Sequence, residues 1–220
     1  MQMLYPFSSS IQQYIERIGS REQVNRCRPA NCPQCESKQP MVSHGFYKRT
    51  VVDVDTDCVI RVRRYLCWAC RRTVSMLPEF VLPYLRFTIM VMGAFLKARL
   101  LLGQTLKAAA ETAHQAGMPY QRGQQWVRRF RHQAESVSAA LAALVRPMVA
   151  ADFVNKAVQM LEETGWVQGH RFPFEHLRRH LLGWPEFLAP AGIAVTMRER
   201  VQSGGQFPQR TCMDSESSPA

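Results

Sequence analysis

The spacing of hydrophobic positions changes twice along this chain. Ile11, Tyr14, Ile15 and Ile18 recur at helical intervals and stop at Gly19, which predicts a short helical lead-in within residues 1–30. Between residues 32 and 77 the period drops to two. Residues 46–54 and 58–66 read as strands on either side of an acidic turn, Asp53, Asp55 and Asp57, and form a hairpin enclosed by two cysteine pairs. Pro78 and Pro83 then interrupt the pattern and make residues 77–84 a stiff connector. Beyond it the helical period returns, with helices predicted at 87–101, 105–116, 119–145, 152–164 and 173–183, punctuated by Gly103, Gly117, Pro147 and Gly165. From Gln202 the chain turns to Ser203, Gly204, Gly205 and Pro208, a composition too polar to bury surface, and the tail is expected to be disordered.

These patterns define an α+β chain. A small zinc-ribbon β-hairpin domain at 31–78 follows the lead-in. An all-α bundle at 79–148 contains a helix-turn-helix. A helical segment at 149–201 and the tail at 202–220 complete it. The longest apolar run, residues 87–96, ends at Lys97 and Arg99 and falls well short of the ~20 residues a bilayer crossing needs, so it reads as a buried helix. The first residues lack the continuous apolar stretch of a secretory signal, which places the protein in the cytoplasm.

Charge narrows the partners. There are 28 Lys and Arg against 17 Asp and Glu, a formal net charge of +11, which favours polyanions, nucleic acid first. The basic residues are interleaved with aromatic and amide side chains instead of forming a juxtamembrane block, so no membrane partner is expected.

The strongest local motif is Cys32-Pro-Gln-Cys35 with Cys67-Trp-Ala-Cys70. Two CxxC pairs supply four thiolates, each tight turn aims two sulfurs at one ion, and a hairpin between them returns the chain to its start. The expected cofactor is one structural Zn²⁺. A redox role for a single pair would want a helix N-terminus after the motif, whereas Arg71-Arg72-Thr73-Val74 reads as a strand. A closed four-sulfur site has no open position for a catalytic water and acts on folding. Cys27, Cys58 and Cys212 stand outside the pairs as structural or incidental thiols, Cys27 being near enough to Cys32 to substitute as a ligand. Alternation along the second strand puts Arg61 and Arg63 on one face, either a DNA-binding surface or an ordinary solvated one.

A second motif follows. Ala113 and Gly117 stand four apart, where a helix-turn-helix uses a small residue for close packing and a glycine for a left-handed turn. Trp126, Val127 and Phe130 provide the buried face of the second helix. Gly123 departs from the pattern, since a β-branched core residue is usual there, and predicts looser packing or a later helix start. With that face inward, Tyr120, Gln121, Gln124, Gln125, Arg128, Arg129 and Arg131 are left outside. Amides and guanidinium groups can read base edges there, and Arg129 and Arg131 can bind phosphate. The competing reading is an amphipathic bundle helix with a charged exterior.

Taken in order, CPQC, HGFYKR, IRVRRYLCWACRRT, LPEFVLPY and TLKAAAETAHQAGMPYQRGQQWVRRF resemble bacterial insertion-sequence proteins that carry an N-terminal zinc ribbon and a helix-turn-helix. The resemblance covers roughly residues 27–131. It implies recognition of DNA ends or target sites by a mobile element, with Cys32, Cys35, Cys67 and Cys70 in the metal positions. A complete transposase of this kind continues into an RNase H-like domain whose carboxylates hold two Mg²⁺ ions. Here Asp152, Glu162, Glu163 and Glu175 fall on predicted helices without the strands such a sheet requires, so the chain is read as a non-enzyme.

Two features of the C-terminal third complete the survey. His176 and His180 are expected on one helix face, without the intervening glutamate of a metalloprotease helix, and read as solvated. Phe174, Leu177, Leu181 and Trp184 form an apolar stripe that closes the core or binds a second copy. The partners implied are double-stranded DNA together with a separate transposase or a second copy of the chain. The alternatives are a protein-interaction module of a mobile-element or regulatory complex, and a truncated transposase.

Overall fold

The computed structural model describes residues 1–7, 10–146, 149–177 and 179–183. Met1–Gly183 form one compact unit. The disordered tail expected from Gln202, the stripe residue Trp184, Pro147 and Cys212 lie outside the described residues.

The unit is mixed α/β, a four-stranded sheet with helices before and after it. Its elements are β1 Gln2–Tyr5, α1 Ile11–Arg17, α2 Arg21–Arg26, β2 Val42–Val52, β3 Asp57–Leu66, β4 Thr73–Pro78, α3 Ile89–Leu100, α4 Leu106–Thr112, α5 Tyr120–Leu141, α6 Phe153–Thr164 and α7 Trp166–Leu177. The sheet order is β1-β4-β3-β2. β2 and β3 are the expected hairpin, with Val52 opposite Asp57 at the acidic turn, and the ladder slips at a bulge between Ser43 and Phe46 where Gly45 takes a φ of 79°. β4 adds antiparallel to β3.

The expected lead-in helix is α1, with Ile18 as its C-cap, but a strand that the sequence did not predict precedes it. β1 runs parallel to β4, pairing Gln2 with Ser75 and Tyr5 with Pro78. Pro78, which has no N–H to donate, sits at the last position of β4, where this ladder stops. The following α1 lays Tyr14 on the sheet, where its hydroxyl donates to the Arg61 carbonyl at 2.8 Å and its ring packs edge-on against Phe7 and Phe80.

The turn of the hairpin is stitched to the helices. Val52 N–H donates to Arg86 O at 2.7 Å, Thr88 N–H to Val52 O at 2.9 Å, and Thr88 Oγ1 to an Asp53 carboxylate oxygen at 2.6 Å. Thr88 is also the N-cap of α3, its hydroxyl accepting from Val91 N–H. Gln115 Nε2, from the turn after α4, donates to Asp53 O at 3.2 Å. Val52 therefore belongs to the same apolar cluster as Phe87, Phe95, Trp126, Phe130 and Leu161.

The last helix starts earlier than expected. α7 begins at Trp166 and carries Pro173 inside it, whereas the sequence reading took Pro173 for a helix start. It ends at Leu177, so His180 lies beyond the helix and His176 and His180 do not share a face. His176 is exposed, while His180 is buried with its ring 5.4 Å from that of His170. Leu182 N–H donates to His180 Nδ1 at 3.1 Å, which leaves the proton on Nε2, facing Pro83 O at 3.3 Å. Of the stripe residues, Phe174 and Leu181 are buried and Leu177 is half exposed.

Candidate metal centre and nucleic-acid interface

Cys32 and Cys35 sit in the loop that enters β2, and Cys67 and Cys70 in the loop between β3 and β4. Because β2 and β3 are antiparallel, with Val42 opposite Leu66, both loops emerge at the same end of the hairpin. All four sulfurs lie within 4.8 Å of one another, the one such convergence of three or more Cys, His, Asp or Glu ligand atoms among the described residues. Cys32 Sγ is 3.7 Å from Cys70 Sγ, and Cys35 Sγ is 3.7 Å from Cys67 Sγ. That separation is far beyond a disulfide bond of about 2.0 Å. It matches the edge of about 3.8 Å in a tetrahedron of thiolates held about 2.3 Å from a central ion.

The two loops are one turn made twice. Cys32 N–H donates to Ser37 O at 3.1 Å, and Cys67 N–H to Arg72 O at 3.0 Å. The fourth residue after the leading cysteine is left-handed in each, Glu36 at φ 56° and Arg71 at φ 58°. A non-glycine residue there costs on the order of 1 kcal/mol and persists only where its surroundings impose it. The CxxC spacing gave no sign of this repeated geometry, and it fits loops shaped around a ligand. Burial opposes the Cys32 thiolate, but the backbone N–H groups of Cys35 and Gln34 that donate to its sulfur draw the thiol down to about 7, toward the form that binds metal. Cys27, expected as a substitute ligand, is instead buried 3.2 Å from the Tyr65 hydroxyl and lies outside the four-sulfur set.

Arg61 and Arg63 do share a face of β3. Both guanidinium groups lie over the Phe46 ring, at 4.2 and 4.4 Å, and Arg63 also donates to the Ser43 hydroxyl.

In α5 the apolar face is the expected one, with Trp126, Val127 and Phe130 buried. Trp126 meets Phe87 and Phe95 edge to face, with ring centroids at 4.9 and 5.4 Å. Two details of the preceding turn differ from expectation. The left-handed residue is His114, at φ 56°, and not Gly117. At Gly123 the packing is tight, since a Cβ there would stand 3.0 Å from Phe95 Cζ. Glycine lets α5 approach α3 closely, and the helix starts at Tyr120 without delay.

The outer face of α5 is open. Tyr120, Gln121, Gln124, Gln125, Arg128 and Arg131 line one concavity of about 1150 Å³, together with Arg99, Arg122 and His132. Among the described residues no carboxylate borders it. The first six are exposed, and no side chain among the described residues is hydrogen-bonded to them. Arg129, grouped with the phosphate contacts from the sequence, does not join them. Its Nε donates to Leu182 O at 2.7 Å and its Nη2 to Gly183 O at 2.6 Å, so this guanidinium is spent holding the segment after α7. Sequence spacing placed it on the outside because it could not anticipate that segment folding over the helix.

Among the described residues, the acidic residues considered for catalysis do not converge in a group of three or more. Asp152 caps α6 by accepting from Asn155 N–H at 2.7 Å, and Glu162 accepts from Trp166 Nε1 at 2.6 Å and pairs with Lys97. Glu175 reaches Arg171 at 3.8 Å.

A family model described as Domain of unknown function (DUF6431) matches residues 32–115. The match begins at Cys32, takes in both cysteine pairs, the hairpin, α3 and α4, and stops before α5. No curated protein and no solved structure matches the chain.

Proposed function

We propose that this chain is a DNA-binding protein of a mobile element, in which a zinc ribbon and a helix-turn-helix recognise DNA ends or target sites without catalysing strand transfer. In this reading Cys32, Cys35, Cys67 and Cys70 hold one structural Zn²⁺, which a closed set of four thiolates suits best. α4, the turn at 113–119 and α5 act as the helix-turn-helix, with α5 as the recognition helix.

The observation that carries the reading is the concavity along α5. Its amides and Arg128 suit base edges, its only formally charged side chains are arginines, and its volume is open to a partner. The N-terminus of α5 adds to this. α1, α3, α4 and α6 each close theirs with a Ser, Thr or Asp side chain, but Pro119 leaves α5 without one, and uncapped N–H groups at a helix start favour a phosphate. The sheet carries a basic feature of its own, the paired arginines on Phe46. The mobile-element setting rests on the sequence resemblance. A non-catalytic role is supported by Asp152 and Glu162 being committed to a helix cap and an ion pair.

Salt tests the reading. If Arg99, Arg122 and Arg131 each neutralise a phosphate, the logarithm of the duplex affinity should fall with the logarithm of salt at a slope of about −3. No duplex binding, or binding indifferent to salt as an apolar protein interface would be, contradicts it.

A further inference from the structure

The second cysteine loop carries a feature that neither the metal nor the α5 groove uses. Trp68, between Cys67 and Cys70, is 50% exposed. The structure offers it no core to enter, since its neighbours Ala69, Arg71 and Arg72 are exposed as well. The Arg71 guanidinium lies 4.6 Å from the centre of its ring and covers one face. Arg71 can reach back because it is the left-handed residue of the turn, at φ 58°. The Cys67 N–H to Arg72 O bond and the two thiolate anchors then fix the loop that presents both side chains.

We infer that Trp68 and Arg71 form a stacking platform for an unpaired nucleobase, so that this chain prefers a duplex with a single-stranded or frayed end over continuous duplex. The inference rests on the DNA-binding reading and sharpens its substrate class. A rigidly held indole with one face under a guanidinium keeps the other face for a flat π-system. Stacking of this kind needs no particular base, because every base has such a face. Inside an intact duplex the bases are stacked on one another and their faces are closed to a side chain, whereas an unpaired nucleotide can turn its base out onto one. Arg72, exposed beside the platform, supplies positive charge for the backbone of that strand. An apolar protein partner is the weaker match, since two exposed arginines, Arg71 and Arg72, follow Trp68 in its loop and the one exposed aliphatic residue beside it is the small Ala69.

The test uses the full, metal-loaded chain and two labelled probes, a blunt duplex and the same duplex extended by a few unpaired nucleotides on either strand. Fluorescence anisotropy should give an affinity about tenfold or more higher for the extended probe, the size of one base-on-aromatic stack. Trp68→Ala should remove that advantage and leave blunt-duplex affinity within about twofold, while Trp68→Phe should keep part of it. Metal content is measured on each variant, and retention of the metal shows that the loop still folds. Equal affinity of the wild-type chain for both probes overturns the inference, as does an advantage that survives Trp68→Ala. A chain that binds neither probe fails the DNA-binding reading itself, a result distinct from failure of the platform.

Discussion

The cysteine loops and the helical layer reach order by opposite means. Across residues 31–41 and 67–72 only Cys32, Met41 and Cys67 are buried, so these loops have almost no apolar surface of their own to hold them. In α3 alone Ile89, Val91, Met92, Phe95 and Leu96 are buried, and they join a contiguous cluster with Trp126 and Phe130 from α5. Where four sulfurs do the holding, the rest of each loop is left for the surface, and a tryptophan can stand out on it. Where packing does the holding, only the face of α5 that packing does not need is left exposed. A metal staple thus frees more of a short segment for recognition than a helix can spare.

The largest effect expected is therefore at the metal. A structural zinc contributes on the order of 10 kcal/mol of apparent binding energy that is also folding energy. Cys67→Ser should abolish stoichiometric metal and loosen the two loops, read as fast amide exchange across 31–41 and 67–72, while 89–141 stays protected. Uniform loss of protection through both regions would break the contrast between them.

Next comes the core. Phe130 is fully buried in the helical cluster, and Phe130→Ala should cost about 3–5 kcal/mol in denaturant unfolding without lowering the metal content. Metal loss in this variant would mean that the two regions are not held independently.

The buried histidines give a smaller, pH-dependent term. Burial lowers His170 well below the usual histidine range, with His180 adding to the effect, and burial together with the Arg129 charge brings His180 down to about 4. Both are then neutral in the folded protein at pH 6.5, near where an unfolded histidine titrates. The unfolded chain takes up protons first as pH falls, so their stabilisation is intact above about 6.5 and is lost as pH drops toward 4, by up to about 1.4 kcal/mol per pH unit for each histidine. Melting temperature measured across that window should fall, and His170→Phe should flatten the slope. A flat wild-type profile contradicts the assignment.

The sequence made the two regions legible to different degrees. The CxxC pairs could be read directly because ligand spacing is local, although the turn repeated in both loops could not. The buried face of α5 was equally readable from the spacing of Trp126, Val127 and Phe130. What escaped were features decided at a distance. The strand β1 has only four residues, and its partner Ser75–Pro78 lies some seventy positions away. Gly123 looked like a defect until Phe95 occupied the space it leaves. Arg129 looked exposed until the segment after α7 covered it. Pro173 obeyed the rule for helix starts and yet stands inside α7, where the packing of Trp166 and Phe174 outweighs its missing N–H.

The central claim is that α5 reads DNA from its open face, and base-sequence preference tests it most directly. A preferred duplex is selected with the wild-type chain, and its affinity is compared with that for a scrambled duplex at one salt concentration. Alanine at Gln121, Gln124, Gln125 and Arg128 should each cost about 1–3 kcal/mol on the preferred site and little on the scrambled one. Arg131→Ala should weaken both alike and make the salt slope shallower by about one. Arg129→Ala should instead act on stability, because its hydrogen bonds are internal. If all four readout substitutions combined leave the preference intact, α5 does not read the groove and the account is wrong.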